Sequence, residues 1–353
     1  MSGLRIKKLL CAALIGALAG TLLVAEELSV TTHDGAKEIK KLPAGAHTIQ
    51  LTGSLNTALL AKIRKALAAK TNCSFSLDLS AVTGMEKLDT EVLSGLTNLE
   101  SLTISDSLVS LKAAAFLGCT ALHTVSVSDT HTLFAEKDGC LYSKDFSVLV
   151  LCPPARTGTY TLPATVTAIA GDAFSVSPTL TALSVAEENT AFIAVSGSIY
   201  TRDMKTLVRV PQGRAALLTV PEGVETIGQG ALSGCTALSS IRLPATLTRI
   251  EQLAFEGCNS LHALTLPERL ERIGKQAFLG CSALETVVIP EATVFIGSRA
   301  FYRTQPIAIT FASPNGWTNG KRELKDLAQA GENPSRFNHP GKYWPYDIYK
   351  VQE

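Results

Sequence analysis

The sequence predicts an α/β solenoid, a rod of similar turns of chain stacked on one another, on the strength of three observations. One phrase, I-x-x-x-A-F-x-G-C-x-x-L-x-x-V-x-I-P, recurs with its opening alanines at Ala231, Ala254, Ala277 and Ala300, 23 residues apart at each step. Earlier copies open at Val92, Ala115 and Ala173, and the two longer steps, Ala115 to Ala173 and Ala173 to Ala231, are both 58 residues. Apolar residues fall in the same columns of every copy. A fixed period of this size marks units that cannot bury an apolar face alone and must stack to form a core.

The columns give each turn its parts. Four residues before the opening stand Leu88, Leu111, Ile169, Ile227, Ile250, Ile273 and Ile296; seven after it stand Leu99, Leu122, Leu180, Leu238, Leu261, Leu284 and Ile307. Ten and twelve after it come pairs such as Leu102/Ile104, Val125/Val127, Ile241/Leu243 and Val287/Ile289. Alternate residues share one face of a strand, so each pair predicts a short strand with both members inward. Stacked, these strands should form one parallel sheet. Pro244, Pro267 and Pro290 follow and end it, because proline has no amide to donate.

From the amino terminus, Met1 to Ala25 has Arg5, Lys7 and Lys8 ahead of an apolar run with small residues at its exit. This is the pattern of a secretory signal, cleaved after Ala19 or Ala25, with a retained membrane anchor as the alternative. The 353-residue chain has net charge +1, and setting those three cations aside leaves a slightly acidic body. Such a balance makes no electrostatic case for nucleic acid or an anionic membrane. No later stretch is long and apolar enough to span a bilayer. Residues 26–80 predict a strand–helix–strand cap over the first edge of the rod. Glu27 to Leu42 reads as two strands about an Asp34-Gly35 turn. His47 to Leu51 alternates, Asn56 caps a helix running to Lys70, and Phe75, Leu77 and Leu79 alternate again.

The solenoid then occupies 81–311. Its two 58-residue steps hold sister insertions near 134–155 and 192–213, in which Phe134, Tyr142, Asp145, Leu149 and Pro153 answer Phe192, Tyr200, Asp203, Leu207 and Pro211. Each predicts a β-hairpin turning near Asp145 or Asp203, with the tyrosine on the incoming strand. Beyond Phe301 the register slips by a residue at Ile307, Ile309 and Phe311. Residues 312–353 predict a second cap, with a helix over Lys321 to Ala330 and an aromatic tail containing Trp344.

The recurring phrase, together with the G-x-L-Y-x-x-D-x-x-x-L-x-x-x-P insertions (Gly139 to Pro153, Gly197 to Pro211), resembles the BspA-like leucine-rich repeat of bacterial surface proteins, treponemal ones included. The resemblance covers about residues 82–311. It implies a curved leucine-rich repeat with its parallel sheet on the concave face, exposed outside the cytoplasm and used for adhesion. It carries no common catalytic residues.

The residues themselves point the same way. Cys119, Cys235, Cys258 and Cys281 share one column with Leu96, Ser177 and Thr304, so they read as buried core thiols. Ligands stacked along a rod do not surround a metal ion. Cys140 and Cys152 flank one hairpin, where the sister has Ser198 and Val210; they are either a cross-strand disulfide or two separate buried thiols. No cofactor, metal or catalytic motif is found. The outward strand residues are small and mostly uncharged, and Thr103, Ser126, Ser184, Arg242, Thr265 and Val288 are the candidate partner-binding set, with Tyr142, Tyr200 and Trp344 as aromatic additions; the alternatives are a solvated sheet with no specific partner and aromatics that pack the hairpins or the cap. The expected function is an exported, non-enzymatic protein binder, in the periplasm or on the outer cell surface. Its expected partner is a host matrix, serum or cell-surface protein. The alternatives are a periplasmic scaffold and a carrier of an apolar small ligand.

Overall fold

A computed structural model describes residues 6–8, 26–88, 91–174, 176–214, 217–304, 308–313, 317–318 and 348–350. The chain forms two compact units. One holds Met1–Arg156 with Ala168–Val176, the other Thr157–Thr167 with Ser177–Glu353.

The first unit is built on a parallel sheet. Strands β1 (Glu26–Thr31), β2 (Gly45–Ser54), β3 (Cys73–Asp78), β4 (Leu99–Thr103) and β5 (Thr124–Ser126) pair in that order. Helix α1 (Gly35–Ile39) links β1 to β2, and α2 (Thr57–Ala68) links β2 to β3. Asn56 caps α2 as expected, its Oδ1 accepting from the Leu59 amide at 2.9 Å. The helix buries Leu60, Ile63, Ala66 and Leu67.

The expected Asp34-Gly35 hairpin is corrected. Asp34 is helical (φ −92°, ψ −11°) rather than left-handed, and its carbonyl accepts the amides of Lys37 and Glu38. A helical turn therefore starts where the hairpin was expected, and β1 runs parallel to β2, Glu26 opposite His47. Two parallel strands need a crossover, which α1 supplies while burying Ile39. Residues 6–8 form a short strand antiparallel to 26–28; the rest of the expected leader lies outside the described residues.

The first insertion is a three-stranded meander of β6 (Phe134–Lys137), β7 (Cys140–Ser143) and β8 (Val148–Leu151). The turn expected near Asp145 is present, with Tyr142 on β7. A second, two-residue turn at Asp138-Gly139 joins β6 to β7, both residues having positive φ (53° and 78°). β8 then runs parallel to Ala168–Ile169.

In the second unit, β9 (Gly158–Leu162) pairs in parallel with β10 (Leu180–Val185). The sister meander follows as β11 (Phe192–Val195), β12 (Ser198–Thr201) and β13 (Thr206–Arg209). Next come β14 (Leu217–Thr219), β15 (Ser240–Arg242), β16 (Thr286–Ile289) and β17 (Ala308–Phe311), with Ala263 bridging β15 to β16. The slipped register beyond Phe301 is observed: Val287 pairs with Ile309, one residue short of the period.

Two expectations about the sheet change. The parallel strands do not make one continuous ladder, because each insertion turn takes the position a following strand would have filled. The Val125 amide donates to Gly139 at 3.1 Å and the Leu183 amide to Gly197 at 2.9 Å. Each turn also contributes a second strand. The isoleucine column lies on two-residue strands, Thr226–Ile227, Arg249–Ile250, Arg272–Ile273 and Phe295–Ile296, which pair in parallel.

The core follows the columns. Leu238, Leu261 and Leu284, and Ile250, Ile273 and Ile296, are all buried. Phe255, Phe278 and Phe301 stack ring on ring, with centroids 5.0 and 5.1 Å apart. The turn glycines Gly234, Gly257 and Gly280 have φ between 70° and 77°, a left-handed conformation that only glycine takes without strain.

Candidate functional site

The outward sheet residues form rows fixed by strand register. In the first unit Thr103 lies beside Ser126. The row extends back through Asp78, Gln50 and Ser29 on successive strands. The Gln50 Nε2 donates to Asp78 Oδ2 at 2.9 Å, and Ser29 Oγ reaches Gln50 Oε1 at 3.5 Å. Reading residues 26–80 as a cap hid this extension, although Gln50 and Asp78 stand at outward positions of alternating strands. In the second unit Ser184 sits opposite Thr161 with the hydroxyl oxygens 2.7 Å apart.

In the second unit the face continues over β14 to β17. Thr219 pairs with Arg242 and Val288 with Thr310, and Thr265 stands between Arg242 and Val288. All of these are exposed, Val288 by 57%. Two adjoining grooves cover this stretch. One, of about 780 Å³, is lined by Leu264, Thr265, Leu266, Glu268, Thr286, Val288, Pro290, Glu291, Ala292 and Ala312. The other, of about 730 Å³, includes Thr219, Ile241, Arg242, Thr265, Glu268 and Arg269. Thr265 and Glu268 belong to both.

The grooves meet at a local break in the ladder. Ala263 pairs with both neighbours, but Leu264, Thr265 and Leu266 lie in no strand. Their inward pair is Leu264/Leu266, the only pair from Leu102/Ile104 onward without a β-branched or aromatic member. β-Branched side chains favour the extended pleated backbone more than leucine does. The strand ladder is therefore reduced at this turn to the bridges of Ala263, between turns that carry Ile241/Leu243 and Val287/Ile289.

The aromatic additions are corrected. Tyr142 and Tyr200 are each 1% exposed, with their rings packed inside the meanders, so neither can reach a partner. Burial raises the Tyr200 hydroxyl pKa, an effect partly offset by the Arg214 charge. Trp344 lies outside the described residues, as does the helix expected over 321–330.

The cysteine column is buried, but its thiols do more than fill space. Cys119 donates to the Leu93 carbonyl at 3.1 Å, Cys258 to Leu232 at 3.3 Å and Cys281 to Phe255 at 3.1 Å, each in the preceding turn. Thr304, in the same column, donates to Phe301 at 2.7 Å. Each is a side chain that satisfies a carbonyl buried within the stack. Burial pushes the Cys119 thiol up to about 11 and the Cys235 thiol up to about 12, so neither is an activated nucleophile. Among the described residues there is no group of three or more His, Cys, Asp or Glu side chains able to hold a metal ion. No helix among them is long and apolar enough to cross a membrane.

Short parallel strands repeated at a fixed period, with Leu and Ile columns inside and a row of small side chains outside, define a leucine-rich repeat protein. The model of the BspA type leucine-rich repeat region matches six copies, over residues 69–144 and 215–318, and the chain belongs to that family. The match begins at residue 69, before the expected repeat boundary at 81. Three solved structures are similar. A leucine-rich repeat protein from Eubacterium ventriosum is 16% identical over 75% of this chain and 79% of its own, with a TM-score of 0.46. A leucine-rich cell surface protein from Faecalibacterium prausnitzii is 20% identical over 85% and 86%, with a TM-score of 0.43. A leucine-rich repeat protein from T. pallidum is 26% identical over 48% and 64%, with a TM-score of 0.27. No curated protein matches the chain.

Proposed function

We propose that this is an exported, non-enzymatic repeat protein that binds a protein partner, in adhesion or host interaction, on the outward sheet face of its second unit. The observation that carries the reading is the pair of adjoining grooves that brings Arg242, Thr265 and Val288 onto one exposed surface. A groove lined by apolar, polar and charged residues together suits recognition of a protein segment. The Faecalibacterium relative, described as a cell surface protein, supports exposure outside the cell. The test is capture from host matrix and serum proteins by the full chain, compared with Arg242→Glu, Thr265→Arg and Val288→Arg combined. These side chains are exposed, so the fold should survive. Loss of the captured protein from a folded variant supports the reading, and undiminished capture refutes it.

The apolar residues of the lining, Leu264, Leu266 and Val288, favour one second reading, a carrier of an apolar small ligand. Mass spectrometry of solvent extracts of the purified protein would show such a ligand. Proteolysis of intact cells separates a surface protein from a periplasmic scaffold.

A further inference from the structure

We infer that Cys140 and Cys152 form a disulfide that staples β7 to β8, so that the first insertion is covalently closed while its sister is not. The inference goes beyond the binding reading and does not depend on it. Leu141 lies opposite Leu151 in the antiparallel pair, and one step along the same register sets Cys140 opposite Cys152. Cys140 also pairs with Lys137 across the two-residue Asp138-Gly139 turn. In an antiparallel sheet both main-chain groups of a residue face the same neighbour, so those of Cys140 face β6. The Cys152 amide donates to the Ala173 carbonyl at 2.8 Å rather than to β7.

The pair is therefore of the non-hydrogen-bonded kind, in which α-carbons approach to about 4.5 Å. That is inside the range of about 4.4–6.8 Å that disulfides span. Opposed residues project to the same face, and both cysteines are fully buried. Both are thiols in this structure, so the bond belongs to an oxidised state.

The sister insertion is an internal control. Ile199 lies opposite Arg209, which sets Ser198 opposite Val210, both buried. The meander thus folds with a pair that cannot cross-link. Both cysteines are present in one copy and both absent from the other, as a bond between them requires.

The step balances with a low-molecular-weight disulfide as oxidant. One thiolate attacks it, forming a mixed disulfide and releasing one thiol. The second cysteine then displaces the other half as a second thiol, and the two cysteine protons end on the released thiols. Both cysteines are buried in the finished fold, so exchange belongs to the folding hairpin.

The full chain, denatured and reduced, is refolded in a glutathione/glutathione disulfide mixture, alkylated in denaturant at acid pH and digested with trypsin. Cleavage after Lys137, Lys144 and Arg156 puts the two cysteines on separate peptides, 138–144 and 145–156. The expected product is those two peptides joined, two hydrogens lighter than their sum, with Cys119, Cys235, Cys258 and Cys281 alkylated. Reductant should then lower the melting temperature of the oxidised protein but leave that of Cys140→Ser/Cys152→Val, which copies the sister pair, unchanged. Alkylation of both cysteines after refolding overturns the inference. So does either of them joined to glutathione or to another cysteine, or an equal effect of reductant on the double variant.

Discussion

Replacing Phe278 by alanine tests whether the aromatic column holds the second unit together. Its ring is fully buried and stacks on Phe255 at 5.0 Å and Phe301 at 5.1 Å, with interplanar angles of 16° and 4°. Truncating a buried phenylalanine costs about 3–5 kcal/mol through lost transfer energy and the cavity left behind. Each ring pair adds about 0.5–1.5 kcal/mol beyond its area, and two pairs place Phe278→Ala near the top of that range, about 5 kcal/mol. Leucine is the informative comparison, because Leu93 and Leu232 already fill this column and are fully buried. Phe278→Leu keeps most of the apolar volume but loses both ring contacts, so its cost should be about 1–2 kcal/mol.

Urea unfolding of the three proteins, with midpoint and slope compared, gives the difference. A stack of turns can also open locally. Amide exchange at Gly257 and Gly280, which donate across turns to Leu279 at 2.7 Å and Tyr302 at 2.8 Å, would report such opening. The reasoning is refuted if Phe278→Ala lies within about 1 kcal/mol of the parent, or if Phe278→Leu costs as much as Phe278→Ala.

Three further outcomes can be measured. Gly257→Ala should cost about 1–2 kcal/mol from its φ of 70° alone, since the added carbon meets nothing closer than Gly234 Cα at 3.9 Å. Gly274→Ala should cost more, because its added carbon would stand 2.5 Å from main-chain atoms of Glu251 and Gln252; thermal melts of the two variants decide the order. Asp145 holds the first meander's outer turn through Ser143 and Ser147, and these hydrogen bonds pull its carboxyl from 3.8 down to about 2. A depressed carboxyl stabilises the fold fully above its unfolded pKa and ceases to do so as pH falls through the folded one. The turn should therefore loosen between pH 3.8 and about 2, a change absent from Asp145→Asn and visible in amide exchange at Ser147.

The solenoid was legible because its columns repeat a physical demand: the same depth in the core, turn after turn, asks for the same side chain. Leu238, Leu261 and Leu284 could be placed inside with no structure at hand. What repetition does not contain is harder to read. The Asp34-Gly35 dipeptide satisfies a hairpin rule locally, but the need to bury Ile39 and to lay β1 parallel to β2 overrides it. The second strand of each turn is two residues long, too short to show alternation. Tyr142 and Tyr200 stand as candidates because their insertions break the 23-residue count, and the pattern alone does not separate a partner-facing ring from one that packs. Here each meander folds back onto its unit, and the chain buries the tyrosines, having few other aromatic residues with which to fill it. The thiol hydrogen bonds were hidden for another reason: a cysteine that fills a column and one that also satisfies a carbonyl look identical in sequence.

The groove shows how a regular scaffold acquires something particular. At Leu264, Thr265 and Leu266 every column is filled in keeping with its neighbours, and the side chains alone would be read as one more strand. The departure is smaller, Leu264 where the adjoining turns carry Ile241 and Val287, with Leu266 following as Leu243 does one turn earlier. A solenoid tolerates it because the inner columns at Ala254, Phe255, Cys258 and Leu261 remain packed against the turns on either side. The stack keeps its stability through those positions, which lets one turn do without a full outer strand. Residues of three turns, Arg242, Thr265 and Val288, then surround a depression that none of them could make alone. In such a fold a groove need not come from an insertion; it can lie where the strength of strand formation varies along an otherwise uniform stack.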